Sequence, residues 1–195
     1  MHLRRQGKKH GKRRNGKSTR GQIKNRVSID DSPEIVDYKS RIGDGEIDTS
    51  IGKKHSGALV TIVARVTKYT VSAQVNRKSA ADVTKVTVSL LNPVKDIVHT
   101  ITADKEKGFS CHEKISQALS VEVYFAHPYI SWERGLNENT KGLLRQYFPK
   151  NTDFKKVGQI KVKLSLMRLN SQPRKDLNFK TPALIMGERR AALAA

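Results

Sequence analysis

Three acidic residues, Asp48, Asp104 and Glu138, have the types and spacing that could do chemistry together. Asp48 lies in a run of alternating apolar and polar residues, Asp104 follows an apolar run, and Glu138 begins a segment with helical spacing. Phosphodiester chemistry uses hard oxygen ligands for Mg²⁺ or Mn²⁺, and two ions about 3.5 to 4 Å apart can stabilise both the attacking and the leaving oxygen. The pattern predicts that these three residues are catalytic and hold two such ions.

Each acid also has an ordinary structural interpretation. Asp48 could end a strand, Asp104 could occupy a turn, and Glu138 could be an exposed helix residue. Three clustered carboxylates without metal would repel one another, which would raise at least one pKa and couple metal binding to proton release. The joint pattern of the three residues favours the metal site.

The net charge of +20 favours a polyanionic partner such as DNA or RNA. The first 26 residues hold eleven lysines and arginines, no acid and several glycines. Like-charge repulsion favours disorder there until a phosphate backbone neutralises the charge, and Arg13 and Arg14 are candidate DNA contacts. A solvated tail is the alternative for this segment.

Other classes of protein are disfavoured by composition. Cys111 is the single cysteine, so the chain can form no internal disulfide and offers no cysteine cluster for zinc. No apolar run approaches the roughly 20 residues that span a bilayer, and the charged N-terminus lacks the apolar stretch of a secretory signal. We expect no membrane partner and a cytoplasmic location.

Local patterns predict the order of the elements. Ser32, Pro33 and Glu34 are typical of a helix start. Three β-rich runs then predict an antiparallel meander, at residues 47–51, 58–66 and 69–75. Further elements are predicted as a helix at 78–91, a strand at 96–102, a helix from Ser110 to Leu119 with a Ser-x-x-Glu cap, a strand at 121–125, and a helix at 136–147 stopped by Pro149.

This order matches a ribonuclease H-like α/β fold, a mixed five-stranded sheet with flanking helices. In that topology the first and fourth strands are neighbours, so Asp48, Asp104 and Glu138 could converge. The predicted organisation is a basic tail at 1–26, a linker with a short helix at 27–42, the catalytic core at 43–150 and a C-terminal extension at 151–195.

Long motifs carry a resemblance to a known family. These are "RIGDGEIDTSIG" around Asp48, "FAHPYISWERGLNENTKGLLRQYFPKNTDF" around Glu138, and "LNSQPRKDLNFKTPALI" near the end. Together they resemble bacterial transposases of the insertion-sequence-thirty family, over roughly residues 21 to 186.

The resemblance implies a DDE-type transposase with an integrase catalytic core. Such an enzyme cleaves double-stranded DNA at the ends of its element and joins the freed 3′ hydroxyl to target DNA, and Asp48, Asp104 and Glu138 fall on its catalytic positions. It also implies two Mg²⁺ or Mn²⁺ ions, assembly as a homo-oligomer on DNA, and association with the bacterial nucleoid. Family members carry an N-terminal helix-turn-helix region, so the sequence is interpreted as N-terminally truncated.

The sequence departs from the family pattern near the first two acids. Gly45 and Ile47 stand where the family usually has tryptophan and glycine, and "DKEKGF" replaces the usual D-N-G-K-E-F, which changes Lys105, Glu106 and Gly108. If the chain turned with positive φ at Glu106, this residue would be strained. These changes predict an impaired site, and the absence of the helix-turn-helix region predicts non-specific DNA binding. The alternative function is therefore a truncated, impaired remnant that only binds DNA non-specifically.

Other residues are candidates for DNA contact. Lys141 and Arg145 follow Glu138 by three and seven residues on one helix face, and Arg174 and Lys175 lie in a predicted loop. A solvated basic surface is the alternative for each. Trp132 is predicted to pack against the last core helix, with base stacking as its alternative. A basic RNA-binding protein of ribosomal type also explains the charge, but it leaves the spacing of the three acids unexplained.

Overall fold

The computed structural model of the chain describes residues 23–128 and 130–194. The basic segment at 1–22, including Arg13 and Arg14, lies outside the described residues, and so does the side chain of Trp132. The first described residue, Ile23, is buried in the main hydrophobic core.

The described residues form one six-stranded mixed sheet in the order β1-β6-β5-β2-β3-β4. Its strands are β1 (Val27–Ser28), β2 (Asp44–Ile51), β3 (Ala58–Ala64), β4 (Thr70–Val75), β5 (Thr100–Ala103) and β6 (Glu122–Phe125). Strands β2, β3 and β4 are antiparallel, whereas β5, β6 and β1 continue from β2 in parallel. The predicted mixed sheet, its meander and the pairing of its first and fourth predicted strands are confirmed, and β1 adds a sixth strand.

Helices cover both faces of this sheet. They are α1 (Glu34–Tyr38), α2 (Ala80–Leu91), α3 (His112–Leu119), α4 (Gly135–Leu144), α5 (Gln159–Asn170) and α6 (Pro182–Ala194). A core that includes Ile47, Ile62, Val83 and Ile115 joins the sheet to α2 and α3. A second cluster, which includes Leu59, Leu144, Phe154, Val162 and Leu169, joins the other face to α4 and α5. Within the described residues, no helix is long and apolar enough to cross a membrane.

Three predicted boundaries are wrong. Strand β5 begins at Thr100 and not at Asp96, because Asn92–Ile97 continues α2 as a 3-10 helix. Ser110 does not cap α3, whose N-cap is Cys111 without a side-chain hydrogen bond. Helix α4 ends at Leu144, several residues before Pro149, and tight turns follow it.

The segment after residue 150, predicted as an extension without assigned elements, contains α5 and α6. Asn170 at the end of α5 fastens this segment to the edge strand β4. Its Oδ1 accepts a hydrogen bond from the Thr70 amide at 2.9 Å, and its Nδ2 donates to the Thr70 carbonyl at 2.8 Å. Side-chain atoms thus satisfy backbone groups that a further strand would otherwise pair. The domain boundary at residue 150 stays a prediction.

We expect the substitution Asn170→Ala to destabilise the protein by about 2 to 4 kcal/mol, because it leaves two buried backbone groups of Thr70 without partners. Urea denaturation measures this free energy of unfolding. The exposed Asn92 supplies the control, since Asn92→Ala should change stability by no more than about 0.5 kcal/mol. Equal losses in the two variants would contradict a fastening role for Asn170.

Candidate active site

Asp48 and Asp104 meet on neighbouring parallel strands. Asp48 lies on β2, and Asp104 directly follows β5, which pairs with β2 in the register Glu46 to Thr102. Asp48 lies two residues after Glu46, and Asp104 lies two residues after Thr102, so the two aspartates are side by side. Asp48 is buried and Asp104 is half-buried, so the predicted convergence of these two carboxylates is present in the fold.

Two cations from the α4 region contact this pair of carboxylates. The Nη1 of Arg134 lies 3.6 Å from Oδ1 of Asp48 and 3.5 Å from Oδ2 of Asp104. The Nζ of Lys141 lies 2.6 Å from the other carboxylate oxygen of Asp48. Helix α4 is therefore attached to the sheet through the acids that the sequence assigns to catalysis.

The pKa of Asp104 is raised to about 6. Burial is the largest cause, and the negative charges of Glu106 and Asp48 raise the pKa further, whereas Arg134 lowers it. The carboxylate of Asp104 is thus costly to charge in the metal-free protein, mainly because it is removed from water. A site of this kind favours the arrival of another cation.

Glu138 is exposed in the first turn of α4. Among the described residues, no group of three or more histidine, cysteine, aspartate or glutamate side chains is close enough to hold a metal ion. Glu138 precedes Lys141 by three residues, so both lie on one side of the helix, and Lys141 contacts Asp48. The assignment of all three acids to one metal site stays a prediction.

The residues that are present fit a divalent cation. Asp48 and Asp104 supply hard oxygen ligands on neighbouring strands, and a cation at Asp104 would offset the cost of burying its charge. Arg134 and Lys141 lie where they neutralise these carboxylates, so an incoming metal ion would compete with them. Lysine and arginine side chains are long and flexible enough to make such an exchange.

Glu106 is held in an ordinary conformation beside this site. Its φ of −81° and ψ of 145° are extended, so the strain predicted for a positive φ is wrong. Burial alone would raise the pKa of Glu106, but hydrogen bonds from Lys78 and Thr49 outweigh it and hold the pKa below its usual value. The Glu106 amide donates to Asp104 Oδ1 at 3.1 Å, so this residue orients Asp104.

The other departures from the family pattern also fit the fold. Ile47 is buried in the main core. A side chain at Gly108 would meet the Lys78 side chain at ordinary contact distance. Gly45 lines an apolar cavity on the side of the sheet that faces α2.

A buried ion pair fixes the start of α4. Glu46, two residues before Asp48, accepts a hydrogen bond from the Asn137 amide at 3.0 Å, and its Oε1 lies 3.5 Å from Nε of Arg65. Arg65 also donates to the carbonyl of Glu133 at 3.3 Å. Helix α4 has no side-chain N-cap of its own, so Glu46 satisfies one of its free amides. Burial raises the pKa of Glu46, and Arg65 and the Asn137 amide oppose this effect.

A basic groove adjoins Asp48. It has a volume of about 360 Å³, and its lining includes Thr49, Lys141, Arg145 and Lys150. The structure thus brings together Lys141 and Arg145, two of the predicted DNA contacts. A groove of this charge suits a phosphate backbone.

Arg174 and Lys175 lie elsewhere, between α5 and α6. The guanidinium of Arg174 donates to the carbonyl of Leu169 at 3.2 Å, which adds to the backbone hydrogen bonds that cap the end of α5. Lys175 is exposed, and the next residue, Asp176, lies 3.6 Å from Lys68 in the turn between β3 and β4. Neither residue lines the basic groove.

Sequence reasoning missed Arg134 and the pair of Glu46 and Arg65. Arg134 precedes Glu138 by four residues, which is a detectable helical spacing, but its aspartate partners are distant in sequence. Glu46 lies two residues before Asp48 on β2, so the strand pattern alone places both side chains on one face of the sheet. Nothing local marks Arg65 as the partner of Glu46, because the pair depends on strand register.

Two curated relatives match most of the chain. The sequence is 49% identical over 181 residues to the transposase for insertion sequence element IS4351 of Bacteroides fragilis, covering 93% of this chain and 56% of the relative. It is 36% identical over 197 residues to the transposase InsI for insertion sequence element IS30A of Escherichia coli (strain K12), covering 99% of this chain and 51% of the relative. The chain thus spans about half the length of the curated relatives it matches. No protein-family model matches it.

Solved structures share the fold. The catalytic core domain of BIV integrase superposes with a TM-score of 0.63 at 16% identity, covering 78% of this chain and 99% of that domain. A chain of the simian T-cell lymphotropic virus intasome, solved with PP2A regulatory subunit B56 gamma, gives a TM-score of 0.57 at 17% identity over 73% of this chain and 53% of the other. Identities this low show the fold alone, while the transposase relatives match the sequence that carries both aspartates. Over nearly its whole length the chain is therefore similar in sequence to transposases of the insertion-sequence-thirty family, and it has the ribonuclease H-like fold of integrase catalytic cores.

Proposed function

We propose that the chain supplies the catalytic domain of a DDE transposase, which cleaves DNA at the ends of its element and joins them to target DNA. The observation that carries this proposal is the meeting of Asp48 and Asp104 at the β2–β5 pair, beside a basic groove and the helix that bears Glu138. The similarity to transposases over nearly the whole chain supports it.

In this proposal Asp48, Asp104 and Glu138 hold two Mg²⁺ or Mn²⁺ ions, which would stabilise the attacking and leaving oxygens of phosphodiester exchange. Lys141 and Arg145 bind DNA phosphates in the basic groove. Glu106 orients Asp104, and Glu46 with Arg65 fixes the start of α4. The partners are double-stranded DNA of the element ends and target, and further copies of the chain assembled on that DNA.

The impaired remnant is the second candidate function, and its expected basis is weakened by the fold. Glu106 has an unstrained backbone and two hydrogen-bond partners, and Ile47 packs in the core. The contact between Lys141 and Asp48 is the observation that favours an impaired site, because a metal ion must displace it. Activity of the wild-type chain separates the two functions.

We expect Mn²⁺-dependent joining of a pre-cut, family-type DNA end to a plasmid, and we expect Asp48→Asn, Asp104→Asn and Glu138→Gln each to lower the joining rate. The loss should be at least about 100-fold, because replacing a residue that binds the metal directly should lower activity at least as much as replacing a residue that orients a metal ligand. Glu122→Gln, at an exposed acid of β6, is the control and should join at the wild-type rate. Joining by the wild-type chain that survives in all three variants would refute the assignment, and DNA binding without any joining would favour the remnant.

We expect the metal-free protein to lose stability as pH rises from about 4 to above 6, through Asp104. Its folded pKa is raised from 3.8 to about 6, so its stabilising contribution is complete below pH 4 and is lost as the pH passes 6. At about 1.4 kcal/mol per pKa unit, the loss is roughly 3 kcal/mol. The comparison is urea denaturation of the wild type and Asp104→Asn across this range in a chelator. Parallel pH profiles for the two proteins would show that the Asp104 pKa is not raised.

We expect Glu46→Gln to loosen the start of α4, because it removes the charge that Arg65 and the helix amides share. Hydrogen exchange at residues 133–141 should accelerate by about tenfold or more, and joining should slow while DNA affinity stays unchanged. The matched control is Asp44→Asn, which neutralises an equally buried acid on the same strand whose partners are Arg41 and Thr100. If both variants change exchange in α4 equally, Glu46 acts through general stability and not through the helix.

A further inference from the structure

An apolar cavity of about 460 Å³ lies between the sheet and α6. The sheet contributes Gly45, Ile62 and Ile101, the end of α2 and its 3-10 extension contribute Leu90 and Val94, and α6 contributes Met186. It shares no lining residue with the basic groove. Gly45 lies three residues before Asp48 on β2, and positions an odd number apart in a strand face opposite sides. The cavity and the acidic site therefore lie on opposite faces of the strand.

Gly45 forms an open part of the cavity floor without a backbone reason for glycine. Its φ lies outside the positive region, and a Cβ there would meet the nearest atoms, in Ile62 and Val63, at 3.5 Å, which is ordinary contact. Glycine inside a strand often marks a place where a ligand or another backbone approaches closely. The missing side chain leaves apolar space above a central strand.

The opposite side of the cavity, at α6, opens to solvent. Gly187 of α6 lines the cavity but is exposed, and a Cβ built on it meets no atom within 4 Å. The cavity thus has a closed floor at Gly45 and an open side at α6. An apolar cavity of about 150 Å³ is enough to bind benzene, so this cavity has room for a bicyclic ring with a short substituent.

One cationic residue lines the cavity from the helix, the exposed Arg190 one turn after Gly187. The other charged lining residue, Asp44, already directs its carboxylate to Arg41 and Thr100. Arg190 is therefore the charged lining residue that could pair with a bound ligand, and it would pair with an anion.

We propose that this cavity binds a small planar aromatic carboxylate, with its ring over Gly45 and its carboxylate at Arg190. The ring excludes water from the apolar lining above Gly45, and the carboxylate stays near solvent with its cation. Such a ligand fastens α6 to the sheet. Its site is separate from the proposed DNA-processing site, so each can be tested without the other.

The test uses the full chain with indole-3-acetate and neutral indole as probes, followed by calorimetry and by NMR shifts. We expect saturable binding of both at one site and a rise in melting temperature. Gly45→Trp should fill the cavity, raise the melting temperature without ligand and weaken binding of both probes at least about tenfold. Gly45→Phe fills less of the same space and serves if Gly45→Trp does not fold.

Arg190→Gln should weaken indole-3-acetate binding about two- to fivefold and leave indole binding unchanged, as expected for a partly exposed ion pair. Arg189→Gln is the matched control, because Arg189 is next in sequence and does not line the cavity. Absence of saturable binding by the wild type, or undiminished binding by the filled variants, would overturn the proposal. Equal effects of Arg189→Gln and Arg190→Gln would also overturn it, since they would show that the overall positive charge, and not Arg190 itself, attracts the carboxylate.

Discussion

Strand β2 buries three carboxylates in alternation, Asp44, Glu46 and Asp48, and the fold depends on neutralising them. Burial of an unpaired charge costs several kcal/mol, so each acid requires its own cation. Asp44 has Arg41 from the preceding turn, Glu46 has Arg65 from the end of β3, and Asp48 has Lys141 and Arg134 from the α4 region. The charges on this one strand thereby organise the loop before it, the neighbouring strand and the helix across it.

The three pairs differ in how readily their cations can be replaced. Arg41 forms two hydrogen bonds to Asp44, and Arg65 is fully buried with further contacts to Thr102 and Glu133. Lys141 is a flexible side chain with one contact at Asp48, and it also lines the open groove. Asp48 is therefore the acid of this row whose counter-charge can be exchanged for a metal ion. In the proposed function, the ammonium of Lys141 would then pair with DNA phosphates in the groove.

The positions of the two aspartates could be predicted because their signals are local. Alternation of apolar and polar residues placed Asp48 on a strand, and an apolar run ending at Asp104 placed that residue at a strand end. The predicted helix boundaries that are wrong lie where 3-10 helices or tight turns replace regular helix. Helix α3 begins after a 3-10 turn instead of at Ser110, and tight turns follow Leu144 at the end of α4.

The partners of the aspartates could not be predicted in the same way. Arg65, Arg134 and Lys78 reach acids that are distant in sequence, and such contacts follow from strand register and helix placement. Strand β1 was missed because two residues, Val27 and Ser28, carry no periodic pattern. The prediction of backbone strain at Glu106 is wrong, since this residue has an extended backbone and its side chain is held by Lys78 and Thr49.

The most direct measurement of the central claim is a crystal structure of the chain at saturating Mn²⁺, with anomalous diffraction recorded at the manganese edge. The account predicts anomalous density between Asp48 and Asp104, with Glu138 turned toward it and the Lys141 ammonium withdrawn from Asp48. Density that shows Lys141 still bound to Asp48, with no anomalous peak beside either aspartate, would contradict it.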